Sequence, residues 1–325
     1  MAVFTEISEQ QARALLERFS LGSLVSLKPI ASGIENTNYF LDTDSGRWVL
    51  TVFERLKASE LPFYLELCDH LAARGCRVAR PQRNRSGELL DTICGKPCSI
   101  ANRLDGEDVK LMGLAECRSM GELLGRMHLA SRDFPIFQEN LRGLAWWKMA
   151  AEKVRPYVPE SISELYSSEI AHQERVMSGE AWRSLGAYAC HCDLFRNNTL
   201  IEKAGTPQAR VAGVFDFYFA GCVPWLYDLA VTMNDWCINP KDGKFVAEKA
   251  QAFIDAYDAV RPLTGTEQSL WRDALRAAAL RFWMSRLYDF YLPRKAALLT
   301  PHDPTHFERV LKDRLSCELP WPQRI

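Results

Sequence analysis

The spacing of apolar residues changes near residue 105, and this change restricts the chain to a few architectures. Before it, three short runs rich in β-branched and aromatic residues follow one another, at 24–30, 37–41 and 47–53. After it, apolar residues recur every three or four positions over long segments, as on the buried face of a helix. The pattern predicts a small strand-rich part followed by a larger helical part.

The first part is predicted to be α+β. A capping box formed by Ser8 and Gln11 opens a first helix, and apolar spacing indicates a second helix over Glu60–Ala73. Two further strands, at 88–93 and 97–104, flank a turn at Gly95. Five strands with one inserted helix make a small lobe built on an antiparallel sheet.

The second part is predicted to be mainly helical. Helices are expected at 111–131, 146–153, 161–180, 245–260, 267–291 and 306–315, and strands only at 188–193, 199–203 and 211–215. The boundary is placed within Leu104–Asp108, where Asp, Gly and charge replace an apolar run. We therefore expect two lobes, residues 1–104 and 105–325.

Charge and composition exclude several classes of protein. The 325 residues carry 40 basic and 41 acidic side chains without a long block of one sign, so a nucleic-acid partner is not expected. The first residues do not resemble a signal peptide, and the apolar stretch 277–292 is interrupted by charged side chains, so we expect a cytoplasmic protein without a membrane partner. The ten cysteines are interpreted as reduced and mostly buried.

The segment 191–198, with the sequence His-Cys-Asp-Leu-Phe-Arg-Asn-Asn, is the sharpest local feature. It lies between two short predicted strands, and Asp216 follows the third. Asp193 and Asn198 in one loop, together with Asp216, can place one carboxylate at an acceptor hydroxyl and two oxygens on a metal ion. Phosphoryl transfer requires both functions, because phosphates need a bound cation and the attacking hydroxyl needs a proton acceptor.

This pattern resembles the protein-kinase-like small-molecule kinases, a family that includes aminoglycoside phosphotransferases, choline kinases and the homoserine kinases built on that fold. His191-x-Asp193-x4-Asn198 and Asp216 match its two signatures. The resemblance implies a bilobal protein-kinase-like fold with ATP and Mg²⁺ as cofactors. It implies that Asp193 is the catalytic base or the group that orients the hydroxyl, that Asn198 and Asp216 bind Mg²⁺, and that His191 and Asp228 are structural supports of the loop.

A polar loop in the first part is the candidate nucleotide-binding segment. Residues 32–38 read Ser-Gly-Ile-Glu-Asn-Thr-Asn and resemble the corresponding loop of the homoserine kinases. Backbone N–H groups and polar side chains there could cradle phosphates, although the single glycine leaves a plain hairpin turn as the alternative. The candidate nucleotide contacts are Ser32, Gly33, Asn36, Thr37 and Asn38, with Ile100 and Asn102 near the expected adenine-binding segment.

One position departs from most kinases of this fold. Thr51 stands in the third strand, where a lysine usually pairs with the nucleotide phosphates. The Val-Leu-Thr string at 49–51 resembles the homoserine kinases, so the departure favours that branch, but it leaves the partner of the phosphates unassigned. Arg196 is the candidate for stabilising charge on the transferring phosphoryl group, with a structural ion pair as the alternative.

Two later segments also resemble the homoserine kinases, Asn-Asp-Trp-Cys at 234–237 and Arg-Phe-Trp-Met-Ser-Arg at 281–286. An amino-acid acceptor needs an acid for its ammonium group and a cation for its carboxylate. The candidates are Asp235 for the ammonium, Trp236 beside it, and Arg281 or Arg286 for the carboxylate. Alternatively, the tryptophans belong to the core and the arginines pair with aspartates of neighbouring helices.

The function predicted from these resemblances is transfer of the γ-phosphate of ATP to the side-chain hydroxyl of L-homoserine, in threonine biosynthesis. A kinase of choline, ethanolamine or an aminoglycoside stays open, although the alternating charges of the late helices form no acidic basin for a polycation. A non-catalytic kinase-like module is the alternative of another class, and the missing strand lysine is its best support.

Overall fold

The computed structural model of the chain describes residues 4–30, 36–293 and 302–323. These residues fall into two compact units. The first comprises Met1–Asp105 with Gly213–Phe215, and the second comprises Gly106–Ala212 with Asp216–Ile325. No helix in the described ranges has both the length and the hydropathy that a membrane-crossing segment requires.

The first unit is an antiparallel sheet with two helices. Its elements are α1 (Glu9–Leu16), β1 (Leu24–Pro29), β2 (Thr37–Thr43), β3 (Gly46–Val52), α2 (Pro62–Ala73), β4 (Asp91–Ile93) and β5 (Lys96–Asn102). The strands lie in the order β1-β2-β3-β5-β4, and each neighbouring pair is antiparallel. The predicted α+β fold with five strands is confirmed.

Local sequence explains the beginning of α1 and the length of β4. The Ser8 hydroxyl accepts the backbone N–H of Gln11, and the Gln11 side chain accepts the N–H of Ser8, as the capping box predicts. The predicted strand at 88–93 is three residues shorter in the structure. Its beginning is held in a turn because the side-chain oxygen of Asn84 accepts the N–H groups of Ser86 and Glu88.

The second unit is mainly helical. Its helices are α3 (Leu114–Ala130), α4 (Leu144–Val154), α5 (Glu160–Ser178), α6 (Glu180–Arg183), α7 (Trp225–Trp236), α8 (Ala247–Val260), α9 (Gly265–Tyr291) and α10 (Thr305–Arg314). Strands β6 (Tyr188–Cys190) and β9 (Gly221–Val223) form one two-stranded sheet, and β7 (Thr199–Glu202) and β8 (Arg210–Val214) form another. The six helices predicted for this part are all present, with small shifts at their ends.

One α-helix and one strand of the second unit, α7 and β9, lie entirely outside the predicted helices and strands. Every residue of α7 is buried, including Asp228 and Asp235, so the helix lacks the apolar stripe that reveals a surface helix. The other, β9, contains three residues and begins with Gly221, which weakens any strand pattern. The prediction of only three strands in this part was therefore wrong.

Close packing of α3 against α8 depends on a glycine. A Cβ atom added to Gly121 would lie 2.1 Å from the backbone oxygen of Phe253. A side chain cannot share that space, so the two helices approach each other through bare backbone at this point. Gly265, the first residue of α9, has no neighbouring atom within 4 Å of such a Cβ.

We expect Gly121→Ala to lower the free energy of unfolding by roughly 1–3 kcal/mol, because the added methyl forces α3 and α8 apart. The matched variant Gly265→Ala is expected to raise it by up to about 1 kcal/mol, because alanine loses less conformational entropy on folding and meets no clash. Chemical denaturation followed by circular dichroism measures both. Equal stability of the Gly121 variant and the wild type would contradict the packing argument.

Candidate active site

The loop between β6 and β7 is held in an unusual backbone conformation. Cys192 has φ 61°, in the left-handed region that non-glycine residues seldom adopt. Its backbone N–H donates to Oδ1 of Asp228, at 2.7 Å. Asp228 is fully buried on α7, so its carboxylate fixes the turn that precedes Asp193.

The second oxygen of Asp228 belongs to a buried chain of hydrogen bonds. Oδ2 lies 3.0 Å from Nε2 of His128, and Nδ1 of that ring lies 2.8 Å from the Tyr257 hydroxyl. Burial lowers the pKa of His128 despite the neighbouring carboxylate, so the ring is neutral near pH 7. We therefore assign the Nε2 proton to the bond with Asp228, and the tyrosine donates to Nδ1.

His128 and Tyr257 were missed in the sequence analysis. A signal for His128 was present, because it follows the buried residues Met120 and Leu124 at helical spacing on α3. A histidine in such an apolar row, on a helix of a protein with candidate catalytic carboxylates, indicates a buried hydrogen-bonded group. Its partners could not be inferred, since they lie on α7 and α8.

Asp193 lies at the centre of the candidate site. The Asn198 amide nitrogen donates to the Asp193 backbone oxygen at 2.8 Å and lies 3.4 Å from its Oδ2. The Asp193 N–H donates to Nδ1 of His191 at 3.3 Å. Burial raises the pKa of the Asp193 carboxyl to about 7, with Arg281 opposing the shift and Asp216 adding to it. A carboxylate with this pKa is suited to accept a proton near neutral pH.

Asn198 and Asp216 supply the donor atoms that a divalent cation prefers. Because the Asn198 amide nitrogen is bonded to Asp193, its oxygen is the atom that can face a ligand. Asp216 lies two residues after the end of β8, with φ 65°, and its exposed carboxylate acts electrostatically on Asp193. Amide and carboxylate oxygens are hard ligands and fit Mg²⁺ chemically.

Arg196 and Asp235 are paired with each other. The backbone N–H and Nε of Arg196 each lie 2.9 Å from Oδ2 of Asp235, and Nη2 lies 3.1 Å from Oδ1. This corresponds to the structural ion pair that the sequence left open for Arg196. It also engages both oxygens of Asp235, so the expectation that Asp235 receives the substrate ammonium is corrected to a role in holding the catalytic loop on α7.

The expectation for Trp236 is corrected in the same way. Its side chain is 1% exposed, and its indole N–H donates to the backbone oxygen of Leu194 at 3.1 Å. Trp283 is also fully buried. Both tryptophans therefore belong to the core, as the alternative held, because a fully covered ring offers no surface to an acceptor molecule.

The two candidate arginines on α9 have different surroundings. Nη1 of Arg281 lies 3.7 Å from Oδ1 of Asp193, and its side chain is 5% exposed. Nη1 of Arg286 makes a long 3.4 Å contact with the backbone oxygen of Asp303, and the guanidinium lies over the Phe307 ring. Burial lowers the pKa of Arg286 to about 10, with Asp235 and Asp303 opposing the shift.

In the first unit, Ser32 and Gly33 lie outside the described residues. The Thr37 hydroxyl is buried, accepts the N–H groups of Phe4 and Thr5, and donates to Glu54 at 2.6 Å. These hydrogen bonds hold the beginning of β2 against Phe4 and Thr5. Thr37 is therefore corrected from a nucleotide contact to a structural residue.

Of the remaining loop residues, Asn38 contacts Thr51, the position where most kinases of this fold have a lysine. The Thr51 hydroxyl donates to the Asn38 side-chain oxygen at 2.8 Å, across the β2–β3 pair. The Asn38 amide nitrogen lies 3.5 Å from the Asn36 backbone oxygen. Asn38 thus presents a polar group to Thr51, and its amide contacts the backbone of Asn36.

Ile100 and Asn102 on β5 make hydrogen bonds within the first unit. The Ile100 side chain is fully buried in the sheet core, and its backbone oxygen accepts the N–H of Gln82 at 2.7 Å. The Asn102 N–H donates to the Arg80 oxygen at 3.0 Å, and its side-chain oxygen accepts the Arg80 N–H at 2.6 Å. These bonds engage the Ile100 oxygen and the Asn102 N–H and side-chain oxygen within the unit, and contact of Ile100 and Asn102 with adenine stays a prediction.

Comparison with known proteins relates the chain to phosphotransferases and homoserine kinases. Residues 26–263 match the model of the phosphotransferase enzyme family. The homoserine kinase of Cupriavidus taiwanensis is 49% identical over 99% of this chain and 100% of its own length. That of Paraburkholderia xenovorans is 48% identical over 97% of this chain and 96% of its own.

Solved structures show the same fold at low identity. An amicoumacin kinase, solved in complex with AMP-PNP, Ca²⁺ and Ami, has a TM-score of 0.69 at 15% identity; the match covers 95% of this chain and 93% of that one. A choline kinase from Cryptosporidium parvum has a TM-score of 0.61 at 13% identity, covering 94% and 93%. The family resemblance inferred from the catalytic loop is confirmed: the chain belongs to the phosphotransferase enzyme family, in the branch of the homoserine kinases.

Proposed function

We propose that this chain transfers the γ-phosphate of ATP to the side-chain hydroxyl of L-homoserine. The observation that carries the proposal is the grouping of Asp193, Asn198 and Asp216, which combines a proton acceptor with two oxygen ligands. The names of the full-length relatives support L-homoserine as the acceptor. The product is then O-phospho-L-homoserine, with ADP as the second product.

In the proposed reaction, the acceptor hydroxyl hydrogen-bonds to the Asp193 carboxylate. The hydroxyl oxygen forms a bond to the γ-phosphorus while the bond from that phosphorus to the bridging oxygen of ADP breaks. Asp193 takes the hydroxyl proton and later releases it to solvent. Bound through Asn198 and Asp216, Mg²⁺ would neutralise negative charge on the nucleotide phosphates.

The two parts of the sequence have different proposed tasks. Residues 1–104 would bind the nucleotide, with Ser32, Gly33, Asn36 and Asn38 as phosphate contacts. Residues 105–325 would supply the catalytic groups and bind the amino-acid acceptor. We place this activity in the cytoplasm, as a step of threonine biosynthesis.

Arg286 is the proposed contact for the acceptor carboxylate. Among the described residues, the Arg286 guanidinium, with its five N–H donors, makes one long hydrogen bond, to Asp303, and these contacts compensate poorly for its loss of water. A carboxylate that bound there in bidentate fashion would supply the missing acceptors. This chemistry suits a zwitterionic amino acid and does not suit choline, which lacks an anionic group.

An assay of ADP release with Mg·ATP tests the acceptor directly. We expect turnover with L-homoserine, and weak or no turnover with choline, ethanolamine, L-serine, L-threonine and an aminoglycoside. Turnover with another of these acceptors would overturn the proposed substrate. Magnesium-dependent ATP binding without turnover on any of them would favour the non-catalytic module.

Asp193→Asn should lower kcat by about 10²–10⁴-fold, because an amide cannot accept the hydroxyl proton. The KM for ATP should change little. Asp242→Asn, an exposed change of the same chemistry in the second unit, is the matched control and should leave kcat unaltered. Near-normal kcat in a correctly folded Asp193 variant would remove the base assignment.

Asp216→Asn tests the metal ligands. The Mg²⁺ concentration that gives half-maximal rate, measured with Mg²⁺ in excess over ATP, should rise at least about 10-fold, because loss of a charged ligand weakens the metal site. Asp242→Asn again serves as the control. An unchanged Mg²⁺ requirement would show that Asp216 does not bind the metal.

A further inference from the structure

Arg281 is a buried cation whose orientation is fixed by aromatic rings. It lies on α9 in a run where Ala277–Met284 are all buried. Its guanidinium carbon lies 3.8 Å from the centre of the Phe282 ring and 5.4 Å from that of Phe219. Both rings restrict the movement of the guanidinium and separate it from water.

The carboxylate that Arg281 meets is that of Asp193. Nη1 lies 3.7 Å from Oδ1, while the other oxygen, Oδ2, lies 3.4 Å from the Asn198 amide nitrogen. The two oxygens of Asp193 therefore have different neighbours on two sides. Such a pair of contacts limits rotation of the carboxylate about its Cβ–Cγ bond.

The burial of Arg281 argues against direct binding of an acceptor carboxylate. Its side chain is 5% exposed, compared with 18% for that of Asp193. A substrate that arrives from solvent thus finds Asp193 more accessible than Arg281. Removal of a charge from water is costly, and the nearby carboxylate and rings offset part of that cost.

We propose that Arg281 is a positioning residue, which holds the Asp193 carboxylate in the orientation that receives the acceptor proton. It acts through Asp193 and does not bind the carboxylate of the amino acid. The inference rests on the proposed role of Asp193 as the base, and it is independent of which hydroxyl compound is the acceptor. Arg281 and Arg286, on one helix, then serve the base and the substrate respectively.

Steady-state kinetics separate the two roles. Arg281→Met should lower kcat by about 10–100-fold and leave the KM for L-homoserine within about two-fold, since a small misplacement of a catalytic group is costly while substrate contacts stay intact. Arg286→Met should instead raise that KM at least about 10-fold with kcat largely kept. Arg126→Met, at an exposed position on α3, is the control for the loss of an arginine. A rise in KM with unchanged kcat in the Arg281 variant would overturn the proposal.

A double-mutant cycle tests whether Arg281 acts through Asp193. In the Asp193→Asn background, Arg281→Met should lower kcat by less than about three-fold further, because the group that it positions is already absent. Independent effects that multiply would overturn the proposal. Should Arg281→Met fold poorly by thermal denaturation, Arg281→Lys keeps the charge without the planar fork and should give an intermediate kcat; a wild-type kcat for that variant would also overturn it.

The double-mutant cycle tests the positioning role of Arg281 separately from the proposed substrate. It is run with whichever acceptor gives the highest turnover in the ADP-release assay. If L-homoserine is not that acceptor, the substrate proposal fails while the Arg281 cycle still gives its answer. If L-homoserine is turned over and the effects multiply, only the positioning role fails.

Discussion

The buried carboxylate of Asp228 joins the loop of residues 191–198, which contains Asp193, to three helices. One oxygen accepts the N–H of Cys192, and the other is bonded to His128, which in turn meets Tyr257. A left-handed residue such as Cys192 costs on the order of 1–3 kcal/mol, and this strain persists only where surrounding contacts over-determine the conformation. The fully hydrogen-bonded network supplies those contacts, so the position of Asp193 depends on α3, α7 and α8 together.

Ion pairs and aromatic packing hold the rest of the loop. Arg196 is ion-paired with Asp235 of α7. The Phe195 ring packs against Phe282 of α9 and Phe307 of α10, at centre distances of 4.3 and 5.7 Å. A catalytic group tolerates little displacement, and side chains are best fixed by packing against rigid elements. The helical core therefore supports a short loop from several sides, and the loop itself contains little regular structure.

Local sequence predicted the parts of the fold that depend on local physics. The capping box at Ser8, the five strands of the first unit and six helices of the second follow from side-chain chemistry and period. The α7 helix was missed because complete burial removes the amphipathic signal. The candidate site was predicted from the residue types and order of Asp193, Asn198 and Asp216, and the structure brings Asn198 into contact with Asp193.

Pairing between distant residues could not be predicted in this way. Arg196 and Asp235 each have chemistry that suits a substrate contact, yet 39 positions apart they satisfy each other. The same holds for Ile100, whose backbone oxygen is used by Gln82 through the fold of its own unit. Whether a charged or polar side chain is available to a ligand can be judged only once its partners within the protein are known. Arg281 and Arg286 are equivalent candidates in the sequence. The structure distinguishes them, because Arg281 is buried and contacts Asp193, whereas Arg286 contacts the backbone of Asp303.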